Sequence, residues 1–207
     1  MDSGALIPLA AGLLLCASGG VSAQDGAAAA QDGVDDSGHV HEHAMSSEPL
    51  FGNPLEDIVV DFDLVDRDGR TVTAEDFRGS HVLLGFGFTH CPDVCPLMVL
   101  NMGKAVGDTD AVGIFISVDT ERDSPEIADQ YASRFGERMI GLSGNVSQIN
   151  AAANNFRVSY VVTKTQNAYT VQHSANVFLI DPDGRLVDVF NFSTPGEELA
   201  AAMRQEG

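Results

Sequence analysis

The amino-acid sequence predicts an α/β domain built on a mixed central β-sheet flanked by helices. Three observations carry this. Two near-continuous apolar runs, HVLLGFGF at residues 81–88 and AVGIFISV at 111–118, suit strands buried on both faces, as in parallel sheets. A helix-compatible segment with a start signal follows each run. Two strand-like segments near the C-terminus, 176–180 and 185–190, flank the turn Asp181-Pro182-Asp183-Gly184, and such a hairpin makes the sheet mixed.

The elements follow in order. Residues 57–66, DIVVDFDLVD, alternate and read as a strand, returned through Asp66-Arg67-Asp68-Gly69 to Arg70–Thr73. After the run at 81–88, a helix is expected over 96–106, with Pro96 at its first position, Cys95 as N-cap and Gly107 as C-terminal cap. After the run at 111–118, Ser124 caps a helix that has Pro125 at its first position and extends to about Phe135. A short strand at 139–142 and a helix at 146–155 come next. Segments 158–163 and 169–172 are expected to pair as a hairpin inserted before the last two strands. A final helix begins near Thr194-Pro195. Alternating strands and helices, then hairpins, then a helix match a thioredoxin-like plan.

The charge balance excludes some functions. Thirty acids stand against eleven bases, a net charge of −19. Nucleic acid is excluded, because phosphate binding needs a basic stripe. The same balance argues against docking on an anionic membrane surface. An acidic surface keeps the chain soluble and attracts cations, and a salty habitat is the plainer and preferred explanation of it.

The first fifty residues read as separate from the domain, which is expected over 51–207. Residues 5–18, ALIPLAAGLLLCAS, are apolar but too short and interrupted for a span of about 20 residues. With Val21-Ser22-Ala23 behind them, residues 1–23 read as a signal peptide cut after Ala23, or as an N-terminal membrane anchor. Only Asp2 stands where a basic residue is usual. Residues 24–50 hold six acids, no Lys or Arg, and an alanine run, a composition that cannot bury enough surface to fold. Within them, His39, His41, His43 and Met45 form a tract of the kind that captures copper, or a plain solvated tail.

Three cysteines occur: Cys16 in the apolar leader, and Cys91 and Cys95 in Gly87-Phe88-Thr89-His90-Cys91-Pro92-Asp93-Val94-Cys95-Pro96. One close pair is no disulfide framework, and the loop it closes is too short to add much stability. Proline after each cysteine biases both away from helical backbone. Both sulfurs are then expected in a loop at a helix N-terminus, where free N–H groups favour thiolate. Thiolate attacks disulfides and also binds soft ions such as Cu(I) or Zn(II). Two sulfurs leave the coordination sphere incomplete, and a histidine is the obvious third donor. His173, 78 residues beyond Cys95, reads by itself as an ordinary surface or hydrogen-bonded residue. His90 is expected to point away from its neighbour Cys91, and His81 to be structural.

The chain resembles the Sco/SenC family of copper proteins. The resemblance rests on Phe86-Gly87-Phe88-Thr89-His90-Cys91-Pro92-Asp93-Val94-Cys95-Pro96, on Ser117-Val118-Asp119-Thr120-Glu121-Arg122-Asp123-Ser124-Pro125-Glu126, on His173-Ser174, and on Asp181-Pro182-Asp183-Gly184, in order along about residues 54–206. It implies a thioredoxin-like domain, exported or anchored facing the periplasm, that binds copper as Cu(I), with Cu(II) as a second state, through Cys91, Cys95 and His173. It implies a metallochaperone for the binuclear copper site of cytochrome c oxidase, with subunit II or another copper-accepting protein as partner. The rival is a thiol–disulfide oxidoreductase using Cys91 and Cys95 as its redox pair on that site's cysteines or on another exported protein. Cys-x-x-x-Cys differs from the usual thioredoxin Cys-x-x-Cys, and no Trp precedes it. Gln172 departs from the family, which usually has Asp before the histidine, and Thr120 replaces a common proline. The oligomeric state is left open.

Overall fold

The computed structural model describes residues 58–206. The predicted leader at 1–23, the tail at 24–50 with His39, His41 and His43, and the expected start of the domain at 51 lie outside the described residues. Strands β1 (Asp63–Val65) and β2 (Thr71–Thr73) form the first hairpin. The long N-terminal strand expected over 57–66 is therefore paired only at its end. Ile58, Val60 and Phe62 still alternate inward, and the stretch is tied down by an isolated bridge from Val59 to Arg185 and by Asn155, whose side chain donates to the Val59 carbonyl and accepts from the Asp61 N–H.

Strand β3 (Val82–Gly87) is buried at every position and lies at the centre of the main sheet. Helix α1 (Val94–Gly107) crosses to β4 (Val112–Ser117), which runs parallel to β3. Helix α2 (Pro125–Ala132) crosses to β5 (Met139–Leu142), parallel to β4. Ser124 caps α2, its hydroxyl accepting from the Ile127 N–H at 3.4 Å. Helix α3 (Val146–Asn155) opens with a capping box between Asn145 and Gln148.

The inserted hairpin, β6 (Tyr160–Lys164) and β7 (Tyr169–His173), follows as a two-stranded sheet of its own. Strands β8 (Asn176–Ile180) and β9 (Leu186–Asn191) return antiparallel and complete the order β5-β4-β3-β8-β9. Their turn closes through Gly184 at φ +73°, a backbone that favours glycine. Helix α4 (Gly196–Gln205) ends the domain.

Each face of the sheet carries its own core. Leu84, Phe86, Ile114, Ile116 and Phe178 meet Ile149, Ala152 and Phe156 from α3 and its end. Leu83, Phe115, Val177 and Leu179 meet α1 and α4 through Met98, Met102, Leu199 and Met203. Among the described residues, no helix is long and apolar enough to cross a membrane.

Two helix ends differ from expectation. Helix α1 starts at Val94, so its N-cap is Asp93 and Cys95 sits inside the first turn instead of capping it. The first-turn amides have no acceptor within the helix, so Pro96 loses no hydrogen bond as its third residue. The C-terminal cap is Asp108, whose N–H reaches the Lys104 carbonyl, and Gly107 remains helical.

Candidate metal centre

The site forms where three segments meet at the C-terminal end of β3. Cys91 lies in the loop after β3, half-buried, with its thiol free. Cys95 is the second residue of α1 and is fully buried. His173 is the last residue of β7. Sequence pattern alone gave no reason to bring His173 here, yet its Nε2 is 3.3 Å from Cys95 Sγ. The Cys95 N–H donates to Cys91 Sγ at 3.4 Å, which holds the second sulfur beside the first.

The orientation of the imidazole follows from its other nitrogen. His173 Nδ1 is 3.1 Å from the Ser174 carbonyl, which only accepts. Nδ1 therefore carries the proton, and Nε2 presents its lone pair to Cys95. Burial lowers the His173 pKa, with the Ser174 bond opposing it, so the neutral ring is the form at pH 7. The Cys95 thiol then donates to Nε2. Backbone orientation of a ligating imidazole is a recurrent device of metal sites.

The two cysteines are not equivalent. Burial pushes the Cys95 thiol well above its ordinary value, and the neighbouring Cys91 adds to this. Hydrogen bonding from the Phe88 backbone pulls the other way and is outweighed. The easy thiolate expected from the helix N-terminus is thus overridden at Cys95 in the metal-free protein, because loss of water penalises the anion more. Room for this sulfur depends on Gly87: a Cβ there would stand 2.9 Å from Cys95 Sγ and 2.7 Å from Phe115 Cε2.

An open cleft lies over the site, lined by Phe88, Pro92, Val94, Val171 and Phe192 around Cys91 and His173. Phe88 sets its ring edge-on to the imidazole, centroids 5.8 Å apart. Gln172 is exposed, alternates with His173 along β7 and also borders the cleft. Ser174, not the preceding side chain, orients the ring. His90 Nδ1 lies 3.1 Å from Thr89 Oγ1 and 3.6 Å from Asp123 Oδ1. His81 lies just before β3, with its Nε2 buried and without a partner. Among the described residues, no three His, Cys, Asp or Glu side chains are already closed into a metal cage.

Sequence reasoning assigned no roles to the groups that support the site. Asp123, fully buried, accepts from the Thr89 N–H at 2.8 Å and hydroxyl at 2.6 Å, and from Ser117 Oγ at 2.6 Å, tying the cysteine loop to the loop after β4. Asp119, also buried, accepts from Arg122 and from the Tyr169 hydroxyl at 2.6 Å. The available signal was three acids, Asp119, Glu121 and Asp123, in a loop that directly follows a buried strand, where a buried carboxylate needs partners.

Comparison with known proteins agrees with this architecture. The SCO1/SenC family model matches residues 52–206. Over 154 residues the chain is 36% identical to the human protein described as SCO2 homolog, mitochondrial, covering 70% of this chain and 58% of that one. It thus spans less than two thirds of that relative's length. The Arabidopsis thaliana ScoI structure with copper bound superposes with TM-score 0.67 at 33% identity, covering 72% of this chain and 97% of that one. The Bradyrhizobium japonicum ScoI structure with copper bound gives 0.65 at 37%, covering 72% and 99%. The predicted thioredoxin-like α/β fold with its mixed sheet is the fold these structures share. A family match spanning three quarters of the sequence, and superposition on two copper-bound relatives, lead to one conclusion: this chain belongs to the SCO1/SenC family.

Proposed function

We propose that the protein carries copper as cargo, held by Cys91, Cys95 and His173, for delivery to a copper-accepting protein such as subunit II of cytochrome c oxidase. The observation that supports this most is the 3.3 Å approach of Cys95 Sγ to His173 Nε2 across 78 residues of sequence. A neutral imidazole lone pair facing a thiol is a site in which a soft cation replaces the shared proton. The beside-lying Cys91 supplies the second sulfur, and thiolate with imidazole selects copper over hard ions. Three donors under an open cleft leave a face free for ligand exchange with a partner's thiolates. The copper bound in the Arabidopsis and Bradyrhizobium relatives agrees with this reading. Export, with the domain facing the periplasm, fits a protein that meets copper outside the cytosol.

The inequality of the cysteines favours a second reading, thiol–disulfide exchange. Half-buried Cys91, the more accessible of the two, attacks a partner disulfide as thiolate and releases one partner thiol. Cys95 then displaces the other, leaving Cys91–Cys95 oxidised and the partner reduced. One experiment separates the readings. Copper stoichiometry and affinity are measured on the reduced full chain with His39, His41 and His43 changed to Ala, beside Cys91→Ala, Cys95→Ala and His173→Ala in that background. One tight Cu(I) that each substitution weakens supports copper carriage. No tight copper, with rapid disulfide exchange, moves the protein to the oxidoreductase class.

A further inference from the structure

The hairpin that carries His173 is held to the body of the protein in an unusual way. Strands β6 and β7 pair only with each other, and no ladder joins them to the five-stranded sheet. The inward face of β7 carries Tyr169, Val171 and His173 in alternation, while Thr170 and Gln172 face out. His173 closes the base of the hairpin, and Tyr169 stands at its tip.

The tip is attached to the loop after β4. The Tyr169 hydroxyl donates to Asp119 Oδ1 at 2.6 Å. Asp119 is fully buried and fixed on β4's end, its own N–H reaching Ser117 Oγ at 3.3 Å. The second oxygen of Asp119 accepts from Arg122 Nε. The Arg122 guanidinium lies 3.9 Å from the centre of the Tyr169 ring and 5.9 Å from that of Phe88. Phe88 in turn meets the His173 imidazole edge-on. Lys164 adds an exposed pair with Glu121 at 2.6 Å, which contributes little by itself. The same loop grips the cysteine segment through Asp123 and Thr89. A single loop, 117–123, therefore fastens both segments that bring donors to the site.

We propose that Asp119, Arg122 and Tyr169 form a clasp that positions His173 against Cys95, and that opening of this clasp sets how fast copper leaves. The inference rests on the copper-carrying reading and concerns the release step of the same site. Asp119 supplies a buried, immobile acceptor, Tyr169 the hydroxyl that docks on it, and Arg122 the cation that neutralises the carboxylate and stacks on both rings. All three are positioning residues, since none reaches the sulfurs or the imidazole nitrogen.

The test has an arm without copper and an arm with it. In the metal-free full chain, amide exchange of β6 and β7 is compared with that of β3, and the His173 imidazole resonances are followed by NMR. Tyr169→Phe keeps the ring on Arg122 and removes only the hydroxyl. It is expected to speed hairpin exchange about tenfold, the scale of one hydrogen bond to a charged group, to shift the His173 ring signals, and to leave β3 unchanged. In the second arm, Cu(I) loaded on the chain is drawn off by an excess of a chelator, and Tyr169→Phe is expected to release it about tenfold faster. Arg122→Lys, which keeps the charge and loses the planar stack, is expected to fall between wild type and Arg122→Gln. Unchanged hairpin exchange and unchanged imidazole signals in Tyr169→Phe would overturn the clasp. A loosened hairpin with an unchanged release rate would overturn its control of release. Equal acceleration in Thr170→Ala, on the outer face, would overturn the assignment to these residues. A wild-type chain that takes up no tight copper defeats the copper reading, and the metal-free arm still decides whether the clasp exists.

Discussion

The central sheet and the β6–β7 hairpin deliver donors to the same point by different means. Strand β3 is buried on both faces and bonded to a strand on each side, and Cys95 stands beside it in the first turn of α1. The hairpin is a lone pair of strands with Val161 and Val162 exposed, docked by a few side chains, and His173 stands at its end. One side chain is thus mounted beside the doubly buried sheet and the other on a hairpin that no ladder joins to it. On the copper-carrying reading, the protein has to keep its cargo's seat and still let go. Mounting a thiol on the core and an imidazole on an appendage meets both needs, because local opening draws on regions with few buried contacts.

The comparison breaks most visibly through the core. Phe86 is fully buried and meets Phe156 and Phe178 at ring distances of 5.6 and 6.2 Å. Phe86→Ala is expected to destabilise the domain by about 3–5 kcal/mol in urea unfolding. Val162→Thr on the hairpin is expected to stay within about 0.5 kcal/mol. Equal losses would mean that the hairpin belongs to the same cooperative unit as the sheet.

Gly87 sharpens the comparison, since it lies where the core touches the site. A methyl group there meets Phe115 and the Cys95 sulfur, so Gly87→Ala is expected to destabilise by about 1–3 kcal/mol through overpacking. Copper affinity should fall with it, because the displaced atom is the buried sulfur. Isothermal titration beside urea unfolding checks both. A variant that binds copper as wild type does would show that the sulfur relaxes freely.

A smaller effect separates the two sulfurs. Cys91 is half-buried in a loop, whereas Cys95 has no exposed surface and a thiol pushed up by burial. With excess iodoacetamide at pH 8, the metal-free chain is expected to alkylate at Cys91 first and at Cys95 only on unfolding, as mass spectrometry of the digested protein would show. Equal rates would place both thiols in one exposed loop, the arrangement expected from the prolines alone.

That contrast also marks what the residues made legible. The strands of the sheet could be read because double burial writes itself as an unbroken apolar run, at 81–88 and at 111–118. Helix α3 could be read through its bounded polar start at Asn145. The start of α1 was misplaced by one turn's logic, because a proline is as acceptable at the third helical residue as at the first. The pairing of His173 with Cys95, and of Tyr169 with Asp119, was not legible in local pattern. Each joins single polar side chains from distant segments, and neither leaves a periodicity. The family motif picked out His173, but only the folded chain shows that the next residue's backbone carbonyl orients its ring.

The mildest test asks whether the hairpin holds its imidazole neutral. Burial lowers the His173 pKa below its ordinary value of about 6.5. A group whose folded pKa is depressed binds fewer protons than in the unfolded chain, so it adds stability above pH 6.5 that disappears as pH falls through the folded value. Protonation would also place an N–H on Nε2, opposite a thiol that was donating to it, and would push the end of β7 from the site. NMR titration of the metal-free chain is therefore expected to show a His173 midpoint below its ordinary value of about 6.5. Hairpin amides should exchange faster on the acid side of that midpoint, while β3 amides should not change. In Tyr169→Phe, where the ring is free to meet water, the midpoint should move back toward 6.5. A midpoint that stays depressed in that variant would mean the base of the hairpin holds the imidazole without help from its tip.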